Sequence, residues 1–272
     1  MFLCDYHTHT GFSCDSEELL ERMCEKAIAL GLRELAVTDH ADFLTHGVFE
    51  DEIDLEKRQI AMESVQQKYA GQLVIRNGIE LGQPQANPEE YRRLMKNYSF
   101  DFIIGSIHNL EKDLELDRLD YAAVDLEELY GRFLDAEIAL AKDYDFDVLG
   151  HITLPQRYLY RQLEKQVDLR PFEKQYKDLF SILIEREKGI EVNTSGLYKG
   201  TGETLPTPQV LKWYRESGGK ILTVGSDAHR ASDLAFGIEK TYQMLRELGF
   251  SHISTYENRK RKEQMFELHP IC

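Results

Sequence analysis

The sequence has no apolar run that approaches the roughly 18 residues needed for a membrane-spanning helix. It also shows no basic segment of a secretory signal ahead of the first core-like residues, which begin at Phe2. From these two absences we expect a cytoplasmic protein that has no membrane as its partner.

Cysteine and positive charge are both scarce. The four cysteines, Cys4, Cys14, Cys24 and Cys272, form no CxxC pair, so we expect free thiols. The chain has 33 lysine and arginine residues against 48 aspartate and glutamate residues, which gives a formal net charge of -15. Nucleic acids and anionic membranes attract basic surfaces, so this balance argues against either as the main partner. An anionic small substrate is still compatible with it if cations line the site.

The overall composition is that of a folded protein. With 42% hydrophobic residues, the chain of 272 residues can bury a full core, which excludes intrinsic disorder. We find no linker, low-complexity tract or repeat of fixed period, and we therefore expect a single domain over residues 1–272. No exposed apolar seam indicates an oligomeric state.

Seven short apolar runs alternate with amphipathic stretches along the chain. The predicted strands are residues 2–6, 34–40, 73–81, 100–108, 146–152, 189–196 and 220–229. The predicted helices are residues 16–30, 51–70, 88–97, 125–143, 171–188, 207–217 and 237–249. This alternation predicts an α/β fold with parallel strands and right-handed crossovers. Seven rounds favour a barrel, although periodicity alone leaves a doubly wound open sheet as the alternative.

Histidines and acidic residues concentrate at the C-terminal ends of the predicted strands. The polar residues at these ends are His7, His9, Asp39, His40, Glu80, His108, His151, Asn193, Asp227 and His229. A barrel gathers its strand ends around one mouth. Imidazole and carboxylate are ligands that Zn²⁺, Mn²⁺ and Fe²⁺ share, so the pattern predicts two or three divalent ions there. Glu80, with two oxygens, is suited to bridge neighbouring ions.

Each of these residues has a simpler explanation when it is taken alone. A single buried histidine more often binds a backbone carbonyl, and Glu80 or Asp227 could be a helix cap or a salt-bridge partner. Their repeated position at successive strand ends favours the metal site. For Asn193, a turn of the chain and a ligand role stay equally open.

Seven stretches in the same order together resemble the polymerase and histidinol phosphatase (PHP) family. They are "DYHTHTGFSCDS", "LAVTDHADF", "NGIELG", "DFIIGSIHNL", "DVLGHITLPQRY", "EVNTSGLYKG" and "GGKILTVGSDAHR", which extend from residue 5 to residue 230. Within the family, the chain is most similar to the histidinol-phosphate phosphatases of histidine biosynthesis. The resemblance implies a distorted (β/α)7 barrel with a trinuclear metal centre.

The resemblance also implies how the ligands divide among three ions. Carried over by position, the sets are His7, His9, Glu80 and Asp227 for one ion, Glu80, His108 and His151 for a second, and Asp15, His40 and His229 for a third. Asp15 lies on a predicted loop, and only the resemblance identifies it.

The activity that the resemblance implies is metal-dependent hydrolysis of the phosphomonoester L-histidinol phosphate. The ions would neutralise the phosphoryl oxygens, and a metal-bound hydroxide held by the ligands would attack phosphorus in line with the leaving group. Glu80, Asp227 and His229 are the catalytic candidates among those ligands. The sequence has no GxSxG elbow, no P-loop and no signature of a cysteine-based phosphatase, which argues against a nucleophilic serine or cysteine.

Four residues are candidate substrate contacts: Arg157, Arg161, Lys199 and His46. A guanidinium or ammonium group would bind phosphate through charge-assisted hydrogen bonds. The family pattern implies an arginine soon after "NTSGL", where this chain has Tyr198 and Lys199. This difference keeps open an alternative substrate, such as another phosphorylated metabolite or a nucleotide. A non-catalytic barrel stabilised by metal is a third alternative, but every expected ligand is present.

Other polar residues near the predicted mouth could handle the rest of the substrate. Asp42 and His46 are candidate general acids, although a histidine such as His46 is more often a solvated loop residue. Glu111, Asp113 and Glu115 could attract a cationic amine or could belong to a solvated surface. Near the end of the chain, the basic run "RKRK" is compatible with a hairpin turn or with a solvated segment.

Overall fold

The largest feature of the computed structural model, which describes residues 2–43, 53–110 and 115–266, is a parallel sheet. Its strands follow the order β1-β2-β4-β5-β6-β7-β8, with β3 also paired to β4. The strands are Cys4–Asp5 (β1), Glu34–Val37 (β2), His40–Asp42 (β3), Val74–Gly82 (β4), Phe102–Ser106 (β5), Val148–Leu149 (β6), Gly189–Asn193 (β7) and Leu222–Gly225 (β8). Each of the seven predicted runs overlaps at least one of them. Strands β2, β5, β7 and β8 are buried at every residue, as their apolar composition predicts.

The predicted strand over residues 34–40 is divided into β2 and β3. Both pieces pair with β4 in one register, residues 34–37 with 74–77 and residues 40–42 with 80–82. The strand is interrupted between them at Thr38 and Asp39. This interruption lies next to the candidate site.

The first and last strands of the sheet meet and close it into a barrel. The amide of Tyr6 donates to the carbonyl oxygen of Val224 at 3.0 Å, and the amide of Asp227 donates to that of His7 at 2.8 Å. Thr8 and Ala228 form a further parallel bridge. These contacts decide between the two predicted architectures in favour of the seven-stranded barrel.

Helices connect the strands of the barrel. They are Leu20–Ala29 (α1), Leu55–Lys68 (α2), Pro88–Asn97 (α3), Leu126–Asp143 (α4), Leu154–Leu163 (α5), Glu173–Glu185 (α6), Gly196–Lys199 (α7), Pro208–Glu216 (α8) and Ile238–Glu247 (α9), with short 3₁₀ turns at Pro84–Ala86 and Arg170–Phe172. Side chains of Asp54, Asn87 and Asp125 accept hydrogen bonds at the starts of α2, α3 and α4. Among the described helices, none is both long enough and apolar enough to cross a membrane.

Two details of the helix prediction were wrong. The first helix begins at Leu20 instead of next to Ser16, because the Ser16 hydroxyl donates to the carbonyl oxygen of His229 at 2.9 Å and belongs to a loop. No helix was predicted after residues 146–152, yet α5 begins there with Pro155 in its first turn, a position that proline tolerates. Helix α5 carries two of the candidate substrate contacts.

A C-terminal hairpin covers the barrel end opposite to the strand C-termini. Its strands, His252–Glu257 (β9) and Lys260–Met265 (β10), are antiparallel, so the basic run belongs to a hairpin. The ring of Tyr256 lies 5.1 Å from that of Phe102 and 6.5 Å from that of Tyr6. Cys4, Cys14 and Cys24 are free thiols as predicted, and Cys272 lies outside the described residues.

Candidate metal centre

All nine predicted ligands lie together at the mouth formed by the C-terminal strand ends. Their donor atoms form four overlapping groups, and within each group these atoms lie within 4.8 Å of one another. The groups are His9, Asp15, His40 and His229; His7, Glu80 and His151; His7, His9 and Asp227; and His40, Glu80 and His108. Asp15, which the strand-end pattern does not identify, is among them because its Oδ2 lies 2.8 Å from Nε2 of His229.

Glu80 lies at the centre of these groups. Its Oε1 is 2.9 Å from Nε2 of His151 and 3.2 Å from Nε2 of His108. Its Oε2 is 3.2 Å from Nε2 of His7 and 3.0 Å from Nδ1 of His40. The two oxygens thus face different histidines, which is the arrangement expected of a bridging carboxylate.

The separations between donor atoms fit divalent transition-metal ions. Two ligands that bind one ion at about 2.0–2.2 Å lie about 2.9–3.5 Å apart when the angle between them is octahedral or tetrahedral. Nε2 of His7 is 3.0 Å from Nε2 of His9, and Nε2 of His108 is 3.4 Å from Nε2 of His151. The nitrogen and oxygen donors are therefore arranged as a set of ligands. Because His9 and His40 each belong to two groups, the assignment of ligands to particular ions stays a prediction.

In three of the histidines, the ring nitrogen that faces away from the other donor atoms has its own hydrogen-bond partner. Nδ1 of His7 lies 2.6 Å from Oε1 of Glu191, and Nδ1 of His9 lies 3.1 Å from Oγ of Ser13. Nδ1 of His108 lies 2.9 Å from Oδ1 of Asp42. Such partners fix the ring orientation and tautomer of metal-binding histidines. Asp42, predicted as a general acid, thus lies behind a candidate ligand.

Opposite charges dominate the electrostatics of the centre. Burial alone would raise the pKa of Glu80, but His7, His108 and His40 outweigh it and hold that pKa well below its ordinary value. Burial would lower the pKa of His108, yet Asp42 and Glu80 raise it to about 9. The carboxylates at the mouth therefore stay ionised and available to cations.

The predicted substrate contacts occupy different positions around the mouth. Arg157 is 8% exposed, and its Nη1 donates to Oδ2 of Asp227 at 2.6 Å and to Oγ of Ser195 at 2.7 Å. Nζ of Lys199 lies 3.9 Å from the same carboxylate. Both cations therefore lie directly beside a candidate ligand.

Arg161 and Glu115 have partners outside the ligand groups. The guanidinium of Arg161 donates to the carbonyl oxygen of Asp117 and lies over the ring of Tyr158, so its contact with substrate stays a prediction. Glu115 forms an ion pair with Arg118 at 2.9 Å. His46, Glu111 and Asp113 lie outside the described residues.

Asn193 is the last residue of β7, and its buried side chain makes local hydrogen bonds. Its Oδ1 accepts from the amide of Ser195 at 2.9 Å, and its Nδ2 donates to Glu191 at 3.2 Å. Of the two explanations that the sequence left open, the structure supports the one in which Asn193 turns the chain.

Glu191 is a residue at this site that sequence analysis missed. It is 1% exposed on β7, and its Oε2 also accepts from the amide of His151 at 2.9 Å. It precedes Asn193 by two residues, so the two side chains lie on one face of the strand. An acidic residue within the buried run "GIEVN" was the signal that could have identified it.

Comparisons with known proteins agree with this fold. A family model described as the PHP domain matches residues 5–195. A histidinol-phosphatase of Lactococcus lactis is 26% identical over 259 residues, which are 94% of this chain and 95% of the relative. A probable histidinol-phosphatase of Thermotoga maritima is 25% identical over 250 residues, 92% of this chain and 94% of the relative.

Solved structures show the same barrel. The structure of histidinol phosphate phosphatase from Lactococcus lactis, complexed with Zn, L-histidinol and phosphate, has a TM-score of 0.85 and 26% identity, covering 95% of this chain and 98% of that one. A putative histidinol phosphatase from Listeria monocytogenes, at 22% identity, has a TM-score of 0.77 over 88% of this chain and 99% of its own, and shows the fold alone. Since the family model covers well over half of the residues, the chain belongs to the PHP domain family.

Proposed function

We propose that this protein is a metal-dependent phosphomonoesterase that hydrolyses L-histidinol phosphate to L-histidinol and phosphate in histidine biosynthesis. The observation that carries the proposal is the convergence of nine nitrogen and oxygen donors at the barrel mouth, beside the buried cation of Arg157. The Lactococcus structure, which contains Zn, L-histidinol and phosphate, supports this substrate.

The proposed cofactors are two or three divalent ions of zinc, manganese or iron. Four overlapping donor groups support more than one ion, and the family resemblance supports three. When bound, such ions neutralise the phosphoryl oxygens and activate water for attack on phosphorus. The number of ions, their identity and a cytoplasmic location stay predictions.

The ligands proposed to be catalytic are Glu80, Asp227 and His229. Glu80 contacts histidines of two groups, His7 and His151 of one and His40 and His108 of the other. Oδ1 of Asp227 lies 3.7 Å from Nε2 of His9 and 3.4 Å from Nδ1 of His229, so this carboxylate connects two donor groups. Together these side chains fix where a phosphate can bind relative to the centre.

Two cations beside Asp227 are suited to the phosphate. Among the described residues, Arg157 donates to Ser195, Asp227 and Tyr158, which accounts for three of its five N–H groups. The others can bind phosphoryl oxygens while these three bonds hold the guanidinium in place. Lys199 offers a point charge with three N–H donors, without the planar paired donors of a guanidinium.

Lys199 also favours a second candidate function on the same site. It stands where the family pattern implies an arginine, and a lysine cannot form the paired hydrogen bonds of a guanidinium. This change is compatible with a different phosphorylated metabolite or a nucleotide. The net charge of -15 disfavours a polymeric nucleic acid.

The test is phosphate release from a panel that contains L-histidinol phosphate, sugar phosphates, nucleotides and p-nitrophenyl phosphate. Chelator-treated protein is reloaded with Zn²⁺, Mn²⁺ or Fe²⁺, and metal content is measured on the same samples. We expect L-histidinol phosphate to have the highest kcat/KM. Metal-loaded protein that releases phosphate only from another compound would replace the first candidate with the second.

Matched variants connect the activity to the site. His7→Ala and Asp227→Ala should each lose metal and lower kcat by more than about 100-fold, since even the outer partners of ligands are worth 10–100-fold. His252→Ala, at the hairpin on the opposite barrel end, should keep both metal and activity. Normal turnover in either site variant would contradict the assignment.

A further inference from the structure

We propose that Arg58 is a positioning residue for the metal centre, which acts on the ring of His9 through Asp39 and Ser13. Arg58 lies in α2, outside every stretch that carries the family resemblance. The inference rests on the proposed metal centre and adds a residue to it that touches neither substrate nor ligand.

Arg58 is buried in spite of its charge, with 1% of its surface exposed. Its Nη2 donates to the carbonyl oxygens of Val37 at 2.9 Å and of Gly78 at 2.8 Å, so the guanidinium joins β2 to β4 beside the strand interruption. Its Nε donates to Oδ2 of Asp39 at 2.7 Å. The carboxylate of Asp39 is therefore fixed by a rigid group attached to two strands.

The other oxygen of Asp39 holds the loop that follows β1. Its Oδ1 accepts from the amide of Thr10 at 2.6 Å, from the Thr10 hydroxyl at 2.9 Å and from the Ser13 hydroxyl at 3.0 Å. Asp39 and Thr10 are fully buried, and Ser13 is 4% exposed. Through Asp39, Arg58 therefore constrains a loop that begins just after His9.

Ser13 determines which tautomer of His9 these contacts favour. Its single proton is donated to the Asp39 carboxylate, and its Oγ accepts from the amide of His40 at 3.1 Å. Nδ1 of His9 lies 3.1 Å from the same Oγ and must donate to its remaining lone pair. Nε2 of His9, which lies 3.0 Å from Nε2 of His7, then carries no proton and could donate its lone pair to an ion bound there.

A purely structural ion pair would not act in this way, and the chain contains one for comparison. Arg76 on β4 binds Glu34 on β2, with 2.5 Å between Nε and Oε1, so it joins the same two strands. That pair lies at the opposite end of the barrel, next to the hairpin residue Glu257. Loss of Arg76 should weaken the fold without any effect on His9.

The experiment compares metal affinity and tautomer in matched variants of the full chain. Arg58→Met, Arg58→Lys, Ser13→Ala and Arg76→Met are stripped with chelator, and the dissociation constants of Zn²⁺ and Mn²⁺ are measured by competition with a chromophoric chelator. Thermal unfolding is followed on the same samples. Ring-nitrogen chemical shifts of ¹⁵N-histidine-labelled protein without metal show the tautomer of His9.

We expect Arg58→Met and Ser13→Ala to bind metal about 10–100-fold more weakly than the wild type, and Arg58→Lys to recover part of the loss. The double variant Arg58→Met/Ser13→Ala should lose no more metal affinity than the single variant with the larger loss, because both changes interrupt the same series of hydrogen bonds. In both single variants, His9 should no longer prefer the tautomer that carries its proton on Nδ1. Arg76→Met should lower the unfolding temperature and leave metal affinity unchanged.

Two results would overturn the inference. One is that Ser13→Ala keeps the metal affinity and the His9 tautomer of the wild type. The other is that Arg58→Met loses no more metal affinity than Arg76→Met. If Arg58→Met does not fold, Ser13→Ala and Arg58→Lys decide the question. A wild-type protein that binds no metal would refute the proposed function itself, whereas a metal-binding wild type with unaffected variants refutes only the role of Arg58.

Discussion

Replacing Glu191 by glutamine is the smallest change that tests how the ligands are oriented. The carboxylate of Glu191 has donors on both sides. Oε1 accepts from Nδ1 of His7 at 2.6 Å, and Oε2 accepts from the amide of His151 at 2.9 Å. A second donor, Nδ2 of Asn193, lies 3.2 Å from Oε2.

Glutamine has the same shape but only one acceptor oxygen, so a donor must face a donor in either orientation. If the amide nitrogen of the glutamine faces His7, the ring of His7 must carry its proton on Nε2, which lies 3.2 Å from Glu80. A protonated Nε2 cannot bind an ion. If the amide nitrogen instead faces His151, the buried amide of that residue loses its partner. An unpaired buried donor costs about 1–3 kcal/mol, which corresponds to about a 5- to 150-fold change in an equilibrium constant.

We therefore expect Glu191→Gln to weaken metal binding by a factor in that range, in competition with a chromophoric chelator. Turnover at saturating metal should fall less than turnover at limiting metal, because the ligand atoms themselves are retained. Glu185→Gln, at an exposed position of α6, is the matched control and should change neither quantity. Unchanged affinity in Glu191→Gln would refute the reasoning that this carboxylate selects the tautomer of His7.

Two further predictions concern a glycine at the site and a buried acid away from it. A Cβ at Gly82 would overlap the Asp42 carboxylate, so Gly82→Ala should move this carboxylate away from His108 and weaken metal binding in the same competition assay. The control is Gly131→Ala, at an open position of α4, which should instead stabilise the fold by about 0.5–1 kcal/mol. Burial holds the pKa of Glu137 well above its ordinary 4.5, so its contribution to stability is full below pH 4.5 and is lost as the pH rises. Between pH 4.5 and the pKa of Glu137 in the folded protein, the unfolding free energy of the wild type in urea should thus fall relative to that of Glu137→Gln by up to about 1.4 kcal/mol per pH unit. A difference independent of pH would contradict this.

The sequence identified strand-end residues well because parallel topology brings them together whatever lies between them. His108 and His151 each follow a short buried strand, and this local pattern is readable without any tertiary contact. Arg58 was not predictable in this way. It is one of three basic residues of α2, with Lys57 and Lys68, that look alike in sequence, and only the packing of α2 on β4 buries one of them. Helix α5 was missed because ten residues with a proline near the start give a weak periodic signal.

The partners of the histidine rings explain why the centre depends on the whole barrel. His7, which follows β1, is oriented by a glutamate of β7, and His108, which follows β5, is oriented by Asp42 of β3. Ring orientation is therefore fixed by contacts between strands far apart in the chain. An unfolded chain holds none of these contacts, so ions that bind the assembled mouth stabilise the closed barrel by mass action. Metal loading should accordingly raise the unfolding temperature, and variants that loosen a ring partner should reduce this gain more than they reduce the stability of the metal-free protein.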